Sequence, residues 1–140
     1  MEMIIFAGLP GCGKSTYYKE HFFNSHVRIS NDLLKTKNRT TKLLNYCFET
    51  GMSFVVDNTN TTISARKRFI QVCDNENQRR KQSVKKICIW FDCDVKTCLN
   101  RNRTRKRNDQ VPDLAILSKA KEFEEPTMEE GFDEIKKMGF

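Results

Sequence analysis

The chain carries Gly-Leu-Pro-Gly-Cys-Gly-Lys-Ser at residues 8–15, and this stretch constrains the fold more than any other feature. It matches the pattern G-x-x-x-x-G-K-[ST], follows the apolar residues 3–7 and precedes a segment with helical spacing of its aromatic residues. A strand, a glycine-rich loop and a helix in this order form a Walker A phosphate-binding loop. The glycines let backbone N–H groups turn toward a triphosphate, and the helix N-terminus adds a favourable dipole.

The lysine and the serine of the loop indicate how a nucleotide would be held. We expect Lys14 to contact the β- and γ-phosphates of ATP and Ser15 to offer its hydroxyl to Mg²⁺. The alternative is a glycine-rich turn with no ligand, which the strand–loop–helix context disfavours. The residues expected to bind the nucleotide in and after the loop are Gly8, Pro10, Gly11, Cys12, Gly13, Lys14, Ser15 and Thr16.

The rest of the chain alternates between short apolar runs and segments of helical periodicity. Strands are predicted at residues 3–7, 26–29, 53–56 and 86–91, and helices from about residue 14, over 42–49, from 62, over 95–100 and after Pro112. Periodicity leaves residues 131–140 open. Alternating strands and helices predict an α/β fold with a mostly parallel sheet, helices on both faces and ligands at the carboxyl ends of the strands.

Length and composition narrow the class of protein. We expect residues 1–140 to form a single domain, because a chain of this length buries one core. With no run of 18 apolar residues, the expectation is a soluble, intracellular protein with no membrane contact. The six cysteines form no C-x-x-C pair, which favours buried free thiols over disulfides or a zinc site.

Positive charge is in excess and is clustered. The formal net charge is +7, with basic clusters at residues 66–68, 79–86 and 101–107. Such clusters fit a polyanionic partner, and they equally fit solvated faces of helices. Charge alone leaves both interpretations open.

Two acidic residues follow predicted strands. Asp32 comes after the second strand and Asp57 ends the third, so both are expected at the sheet edge that holds the phosphate loop. A carboxylate there could deprotonate an alcohol acceptor, and another could serve the metal. The alternative is structural: Asp32 could cap the following helix, and Asp57 could open an Asx-turn.

A dense cationic block follows the fourth strand and its helix. It includes Arg101, Arg103, Arg105, Lys106 and Arg107, and residues 101–110 are the predicted lid. A guanidinium from such a lid could stabilise phosphate oxygens during transfer, while most of the block would remain an exposed face.

Taken together, these motifs resemble the 5′-hydroxyl polynucleotide kinase family, over nearly the whole chain. The resemblance rests on residues 8–15, Asn31-Asp32, Val56-Asp57-Asn58-Thr59-Asn60 followed by Arg66, residues 101–105, Val111-Pro112, residues 123–127, and Glu130-Gly131-Phe132. It implies a three-layer P-loop kinase fold with a five-stranded, mostly parallel sheet, the last strand near residues 132–138. The implied activity is transfer of the ATP γ-phosphate, with Mg²⁺, to the 5′-hydroxyl end of RNA or DNA.

The resemblance also implies roles for individual residues. Asp32 would be the general base, Lys14 and Arg105 would act on the transferring phosphate, and Arg101 would pack near the nucleotide base. The acceptor would be bound by Asp32, Lys35, Asp57, Asn58 and Thr59, and the metal by Ser15 and, through water, by Asp57.

One position departs from the family pattern. Lys35 stands where the family commonly has an arginine that grips the acceptor phosphate, so the charge is kept and the planar fork is lost. Two other functions fit the same motifs: a P-loop kinase for a small metabolite or nucleoside, and a non-catalytic, ATP-gated module that binds nucleic acid.

Overall fold

Five parallel strands form the centre of the fold, in the order β2-β3-β1-β4-β5. The computed structural model describes residues 1–139. The strands are β1 (Glu2–Ala7), β2 (Val27–Ile29), β3 (Phe54–Val56), β4 (Lys85–Asp92) and β5 (Glu134–Gly139). The helices are α1 (Lys14–His21), α2 (Asn31–Leu34), α3 (Lys37–Thr50), α4 (Ile63–Arg80), α5 (Val95–Thr104) and α6 (Asp113–Glu122).

The central strand β1 has both faces buried, and its side chains alternate between two hydrophobic cores. Met3 and Ile5 pack with Phe48 and Phe69, which come from α3 and α4. Ile4 and Phe6 belong to the second core, together with residues of α1, α5 and α6. Helices therefore cover both faces of the sheet, as the alternation of predicted strands and helices indicated.

The order of the strands places the phosphate loop at a switch point of the sheet. From β1 the chain passes through α1 to β2 at one edge and returns to β3, which lies beside β1. After α4 it continues on the other side with β4 and β5. Ligands of open α/β sheets bind outside the carboxyl ends of strands at such a point, which here is the end of β1.

The predicted α/β fold class and the four predicted strands are confirmed, and the C-terminal segment that periodicity left open contains β5. Helix α3 begins at Lys37, earlier than the predicted residue 42, because the Thr36 side chain accepts a hydrogen bond from the Arg39 backbone N–H at 3.2 Å. The first turn of α3 is polar, so hydrophobic periodicity does not detect it. The capping side chain explains the difference.

All six cysteines lie within residues 1–139 and are buried free thiols, as expected from their spacing. Burial raises the pKa of Cys47 to about 11 and the pKa values of Cys73 and Cys88 to about 12. The neutral thiols therefore behave as small apolar side chains in the core. No helix within the described residues is long and apolar enough to cross a membrane.

A buried ion pair attaches the C-terminal part of the chain to the start of α4. The Arg66 side chain is fully buried and donates to both carboxylate oxygens of Glu130, at 2.7 and 3.1 Å. Its remaining terminal nitrogen donates to the Asn60 carbonyl at 2.9 Å. Through the Asn60 carbonyl, Arg66 thus holds the β3–α4 loop, defined here as residues 57–62, in place.

Candidate active site

The phosphate loop wraps around the ammonium group of Lys14. Lys14 is nearly buried, and its Nζ donates to the carbonyls of Gly8 at 3.0 Å and Leu9 at 2.8 Å. The Cys12 sulfur lies 3.4 Å from the same nitrogen. Burial is the main cause that raises the pKa of Cys12, although Lys14 opposes it, so this thiol stays neutral at physiological pH.

Two glycines of the loop adopt backbone conformations that other residues rarely adopt. Gly11 has φ of 82° and Gly13 has φ of 96°, both in the left-handed region. A Cβ atom on Gly11 would lie 2.8 Å from the Cys98 carbonyl oxygen in α5, so the loop also packs too closely for a side chain. The loop leads into the first turn of α1, whose N–H groups have no acceptor within the helix. Pro10 is half-buried in the loop, and Thr16 is exposed in that turn.

Ser15, Asp57 and Arg28 form a hydrogen-bonded group beside the loop. The Ser15 hydroxyl donates to Asp57 Oδ2 at 3.1 Å, and Arg28 Nε donates to the same oxygen at 2.8 Å. The Arg28 Nη2 lies 3.3 Å from Ser15 Oγ. The Asp57 side chain is 2% exposed, so it is a buried carboxylate with a single arginine as its ion-pair partner.

The Ser15 and Asp57 oxygens are suitable ligands for Mg²⁺, a hard cation that prefers oxygen. Among residues 1–139, no group of three or more His, Cys, Asp or Glu side chains could hold a metal. A magnesium ion here would therefore take its other ligands from water and phosphate oxygens, which is how Mg²⁺ is usually bound at nucleotide sites. The predicted pairing of Ser15 with Asp57 fits this donor set.

The β3–α4 loop connects the phosphate loop to the start of α2. The Asn58 Oδ1 accepts a hydrogen bond from the Asn31 backbone N–H at 2.8 Å, and the Thr59 carbonyl accepts one from the Gly8 N–H at 2.9 Å. Asn60 has φ of 43° and its side-chain amide donates to the Phe6 carbonyl at 2.7 Å, at the end of β1. One loop therefore sets the position of both the phosphate loop and the helix that carries Asp32.

Asp32 lies in the first turn of α2 and is exposed. Its side chain makes no hydrogen bond or ion pair with any of residues 1–139. The N-cap of α2 is Ser30, so Asp32 is not the capping residue, and Asp57 is engaged by Ser15 and Arg28. The structural alternatives for the two acids therefore do not describe their hydrogen bonding.

Lys35 ends α2 in an unusual backbone conformation. It has φ of 71° and ψ of −36°, and the Thr36 N–H donates to the Leu34 carbonyl at 2.9 Å across it. This three-residue turn is strained for a residue with a Cβ atom. The Lys35 side chain is exposed at this turn, three residues after Asp32.

The predicted lid begins within α5 and is closed at its base by Asn102. Asn102 is buried, donates to the Val111 carbonyl at 2.6 Å and accepts from the Val111 N–H at 3.0 Å. Gln110 donates to the Arg105 carbonyl at 2.9 Å inside the loop.

Arg101 contacts the phosphate loop, with its Nη1 donating to the Cys12 carbonyl at 3.3 Å. The Arg105 side chain is exposed and has no hydrogen bond or ion pair within the described part of the chain.

A cleft lies between the start of α2, the β3–α4 loop and α6, with a volume of about 310 Å³. Its walls include the side chains or backbone of Asn31, Asn58, Thr59, Arg68 and Lys119. Asn58 and Thr59, two of the residues predicted to bind the acceptor, thus line an open cleft whose wall also includes Asn31, the residue before Asp32. Arg68 adds a positive charge to it, whereas Lys119 is paired with Glu122 of the same wall at 3.1 Å.

Sequence reasoning singled out most of these residues but missed Arg28. It gave no role to Asn60 and Asn102, although both lie in motifs that carry the resemblance. Arg28 lies in the middle of a short strand with no motif around it, and its role depends on pairing across the sheet with β3. The polar contacts of Asn60 and Asn102 are to backbone atoms far away in sequence or across a loop. Only the apolar neighbourhood of Arg28 in the sequence could have marked it as unusual.

Comparison with known proteins identifies the family. A family model described as an AAA domain matches residues 31–126, which is more than half of the chain. The chain belongs to this AAA domain family. The matched range of the AAA domain contains Asp32, Asp57, the β3–α4 loop and the lid, and the phosphate loop precedes it.

Curated relatives confirm the resemblance to polynucleotide kinases. The chain is 29% identical to a bifunctional polynucleotide phosphatase/kinase of Schizosaccharomyces pombe (strain 972) over 143 aligned residues, which is 99% of this chain and 34% of the relative. It is 31% identical to a putative bifunctional polynucleotide phosphatase/kinase of Acanthamoeba polyphaga mimivirus, with 99% of this chain and 33% of the relative covered. The chain therefore spans about a third of the length of the curated relatives it matches.

Solved structures confirm the P-loop kinase fold. A sugar kinase from Janibacter sp. HTCC2649 superposes with a TM-score of 0.66 at 11% identity and covers 100% of this chain and 84% of its own. A gluconokinase from Sinorhizobium meliloti 1021 superposes with a TM-score of 0.60 at 15% identity and covers 99% of this chain and 82% of its own. At such identities the likeness concerns the fold alone.

Proposed function

We propose that this chain transfers the γ-phosphate of ATP to the 5′-hydroxyl end of RNA or DNA. The observation that carries the proposal is the β3–α4 loop, which binds the phosphate loop through the Thr59 carbonyl and the start of α2 through Asn58. It couples the phosphate loop to the exposed Asp32 carboxylate, which has no partner within residues 1–139. The names of the two curated relatives support a polynucleotide acceptor.

In the proposed reaction, each residue has a defined task. The acceptor 5′-oxygen attacks the γ-phosphorus of ATP while the bond from that phosphorus to the β–γ bridging oxygen breaks, which releases ADP. Asp32 accepts the proton of the attacking hydroxyl. Lys14 and Arg105 donate hydrogen bonds to the phosphate oxygens, and Arg101 lies beside the loop where the nucleotide would bind.

The proposed cofactor is ATP with Mg²⁺. When bound, Mg²⁺ neutralises negative charge on the phosphates and orients them for in-line attack. Ser15 and Asp57 are the residues that would hold it, directly and through water. Residues 101–110 are proposed as the lid that closes over the nucleotide, because Asn102 joins the two ends of that segment through Val111 while Arg105 between them is exposed.

The acceptor strand is proposed to run through the cleft beside α2. Lys35 would hold the first phosphate as a point charge, and Asn58 and Thr59 line the same cleft with Arg68 and Lys119. Binding through phosphate contacts of this kind weakens as the salt concentration rises, because the release of counterions from the nucleic acid becomes less favourable. A neutral small acceptor would show almost no such dependence on salt.

The test is transfer of labelled phosphate from ATP to matched RNA and DNA oligonucleotides with 5′-hydroxyl ends, repeated for Asp32→Asn. We expect the variant to lose about a hundredfold to ten-thousandfold of the transfer rate, while its affinity for ATP stays unchanged, since Asp32 lies outside the phosphate loop. Asp74→Asn is the matched control, because Asp74 lies in α4, outside the site, and pairs with Lys86 of β4.

Two results would contradict the proposal. Folded wild-type protein that binds ATP and phosphorylates no oligonucleotide is not a polynucleotide kinase; phosphorylation of a sugar or nucleoside instead would favour the small-molecule alternative. Full activity of Asp32→Asn would refute the assigned base.

A further inference from the structure

The buried carboxylate of Asp57 has an ion-pair partner that no motif of the sequence indicates. Arg28 extends from β2 and reaches Asp57 Oδ2 with Nε at 2.8 Å and Ser15 Oγ with Nη2 at 3.3 Å. One guanidinium thus contacts both side chains that fit a magnesium ion. The Arg28 side chain is 29% exposed, whereas Asp57 is 2% exposed.

The local charges show why an arginine is needed there. A carboxylate that is buried without a cation destabilises a fold strongly, because desolvation of the charge is not compensated. Within residues 1–139, Arg28 is the cation that forms an ion pair with Asp57, and Lys14 is directed instead to the carbonyls of Gly8 and Leu9. Arg28 therefore carries the neutralisation of Asp57 in the free protein.

The Arg28 guanidinium neutralises the charge of the Asp57 carboxylate, and a magnesium ion bound at the same place would do the same. Arg28 is attracted to the Asp57 carboxylate and contacts the Ser15 hydroxyl oxygen. A magnesium ion held by the same two side chains would be attracted to the same carboxylate, and the two cations would repel each other at short range. A cation that binds at the two oxygens must therefore overcome the positive charge of Arg28 or shift its side chain, which a 29% exposed arginine can do toward solvent.

We propose that Arg28 is the resident counter-ion of the metal position: it holds Asp57 and Ser15 in place in the free protein and competes there with the divalent cation. The proposal rests on the proposed function only in taking Ser15 and Asp57 as the residues that would hold Mg²⁺. Arg28 is thus a positioning residue, which acts through Asp57 and Ser15. It keeps the affinity for free Mg²⁺ low, so that the cation is bound mainly together with the phosphates of a nucleotide.

The first experiment measures thermal unfolding of wild type and Arg28→Met in EDTA and in 10 mM Mg²⁺, with no nucleotide and no oligonucleotide. Methionine keeps much of the arginine side chain's length and removes its charge. We expect Arg28→Met to melt at least about 5 °C below wild type in EDTA, because Asp57 is left as an unpaired buried charge. Mg²⁺ should recover at least about half of that loss and shift wild type by less than about 1 °C.

Arg79→Met is the matched control. Arg79 is an exposed arginine on α4 that also pairs with a single carboxylate, Glu76, at 2.8 Å, and it lies outside the site. This variant should melt close to wild type, and Mg²⁺ should shift it no more than wild type. Equal shifts by Mg²⁺ for wild type, Arg28→Met and Arg79→Met would overturn the proposal.

A second variant keeps the test decisive if Arg28→Met does not fold. In the double variant Arg28→Met with Asp57→Asn, both charges are removed, so the protein should fold, melt above the single variant and show no response to Mg²⁺. A double variant as unstable as Arg28→Met would overturn the proposal, because the arginine would then act through packing alone.

Mn²⁺ bound together with ADP gives a spectroscopic readout. The electron paramagnetic resonance signal of free Mn²⁺ should report at least about fivefold tighter binding to Arg28→Lys or Arg28→Met than to wild type, with Met stronger than Lys. Unchanged affinity in both variants would contradict the competition. These measurements use no acceptor, so a failed transfer assay with a positive melting result would refute the polynucleotide substrate and leave the role of Arg28 standing.

Discussion

The two halves of the candidate site differ in how far the free protein has already arranged them. On the phosphate side, Lys14 and Asp57 are buried and each has hydrogen-bond partners within the fold. On the acceptor and lid side, Asp32, Lys35 and Arg105 are exposed, and within residues 1–139 the Asp32 and Arg105 side chains make no hydrogen bond or ion pair. The difference indicates that the proposed triphosphate pocket is preformed, whereas the groups proposed to act on the acceptor would be ordered by substrate.

The contrast has a physical reason. Phosphate binding uses backbone N–H groups and one lysine, which a loop between a strand and a helix can fix without a ligand. The proposed base and lid arginine would have to admit a polymer end and then close on it, which fits their positions on the short helix α2 and in the exposed segment after Asn102. Substitutions on the two sides should therefore differ in whether they affect the free protein as well as catalysis.

The largest expected effect on the open side comes from Arg105→Ala. Loss of an arginine that stabilises the transferring phosphoryl group lowers the rate by about a thousandfold or more. Because the side chain is exposed and unpaired within the described residues, the melting temperature should stay within about 1 °C of wild type. Single-turnover kinetics and thermal melts measure the two quantities, with Arg79→Ala as the control. A marked loss of stability in Arg105→Ala would break the comparison.

The next effect is expected on the preformed side, from Lys14→Met. Removal of one donor to the phosphates should lower the transfer rate by about a hundredfold to a thousandfold. The carbonyls of Gly8 and Leu9 also lose their donor, so the free protein should lose about 1–3 kcal/mol of stability. Urea unfolding and ATP titration separate these effects. If Lys14→Met is as stable as wild type, the pocket is less preformed than its hydrogen bonds indicate.

The smallest effect is expected from Asn58→Ala, which acts on the connection between the halves. The Asn31 N–H loses its acceptor, and α2, which carries Asp32, is held less firmly. We expect about a tenfold lower transfer rate, from a loss comparable to that of a helix cap, about 1 kcal/mol. The Kd for ATP should not change, and Asn45→Ala on the exposed side of α3 serves as control. A raised Kd for the oligonucleotide at an unchanged rate would instead make Asn58 a substrate contact.

The sequence predicted the preformed half more completely than the open half. The Walker A pattern is local, because its glycines, lysine and serine are adjacent, so the strand, loop and helix could be read directly from the chain. Asp57 was placed correctly at the end of a strand, but its partner Arg28 could not be predicted, since pairing between β2 and β3 brings together residues far apart in the chain. The strained turn at Lys35 left no signal either, because nothing in the residue type favours a positive φ.

The C-terminal motif Glu130-Gly131-Phe132 also depends on a contact between residues far apart in the chain, which the sequence could not predict. The resemblance included Glu130-Gly131-Phe132 without giving a reason, and the structure supplies one in the buried pair of Arg66 and Glu130. The immediate contacts of the motif are structural: the Glu130 carboxylate pairs with Arg66 and accepts a hydrogen bond from the Thr127 backbone N–H. Through Arg66, which donates to the Asn60 carbonyl, it also holds the β3–α4 loop.

This buried pair also sets an order of events during synthesis of the protein. The phosphate loop, Asp32, Asp57 and Arg105 are all made before residue 130, yet the loop that aligns them stays unanchored while Arg66 has no carboxylate to bind. An uncompensated arginine would keep the start of α4 in contact with water. A segment that contributes none of the proposed catalytic groups therefore supplies the carboxylate that anchors this loop.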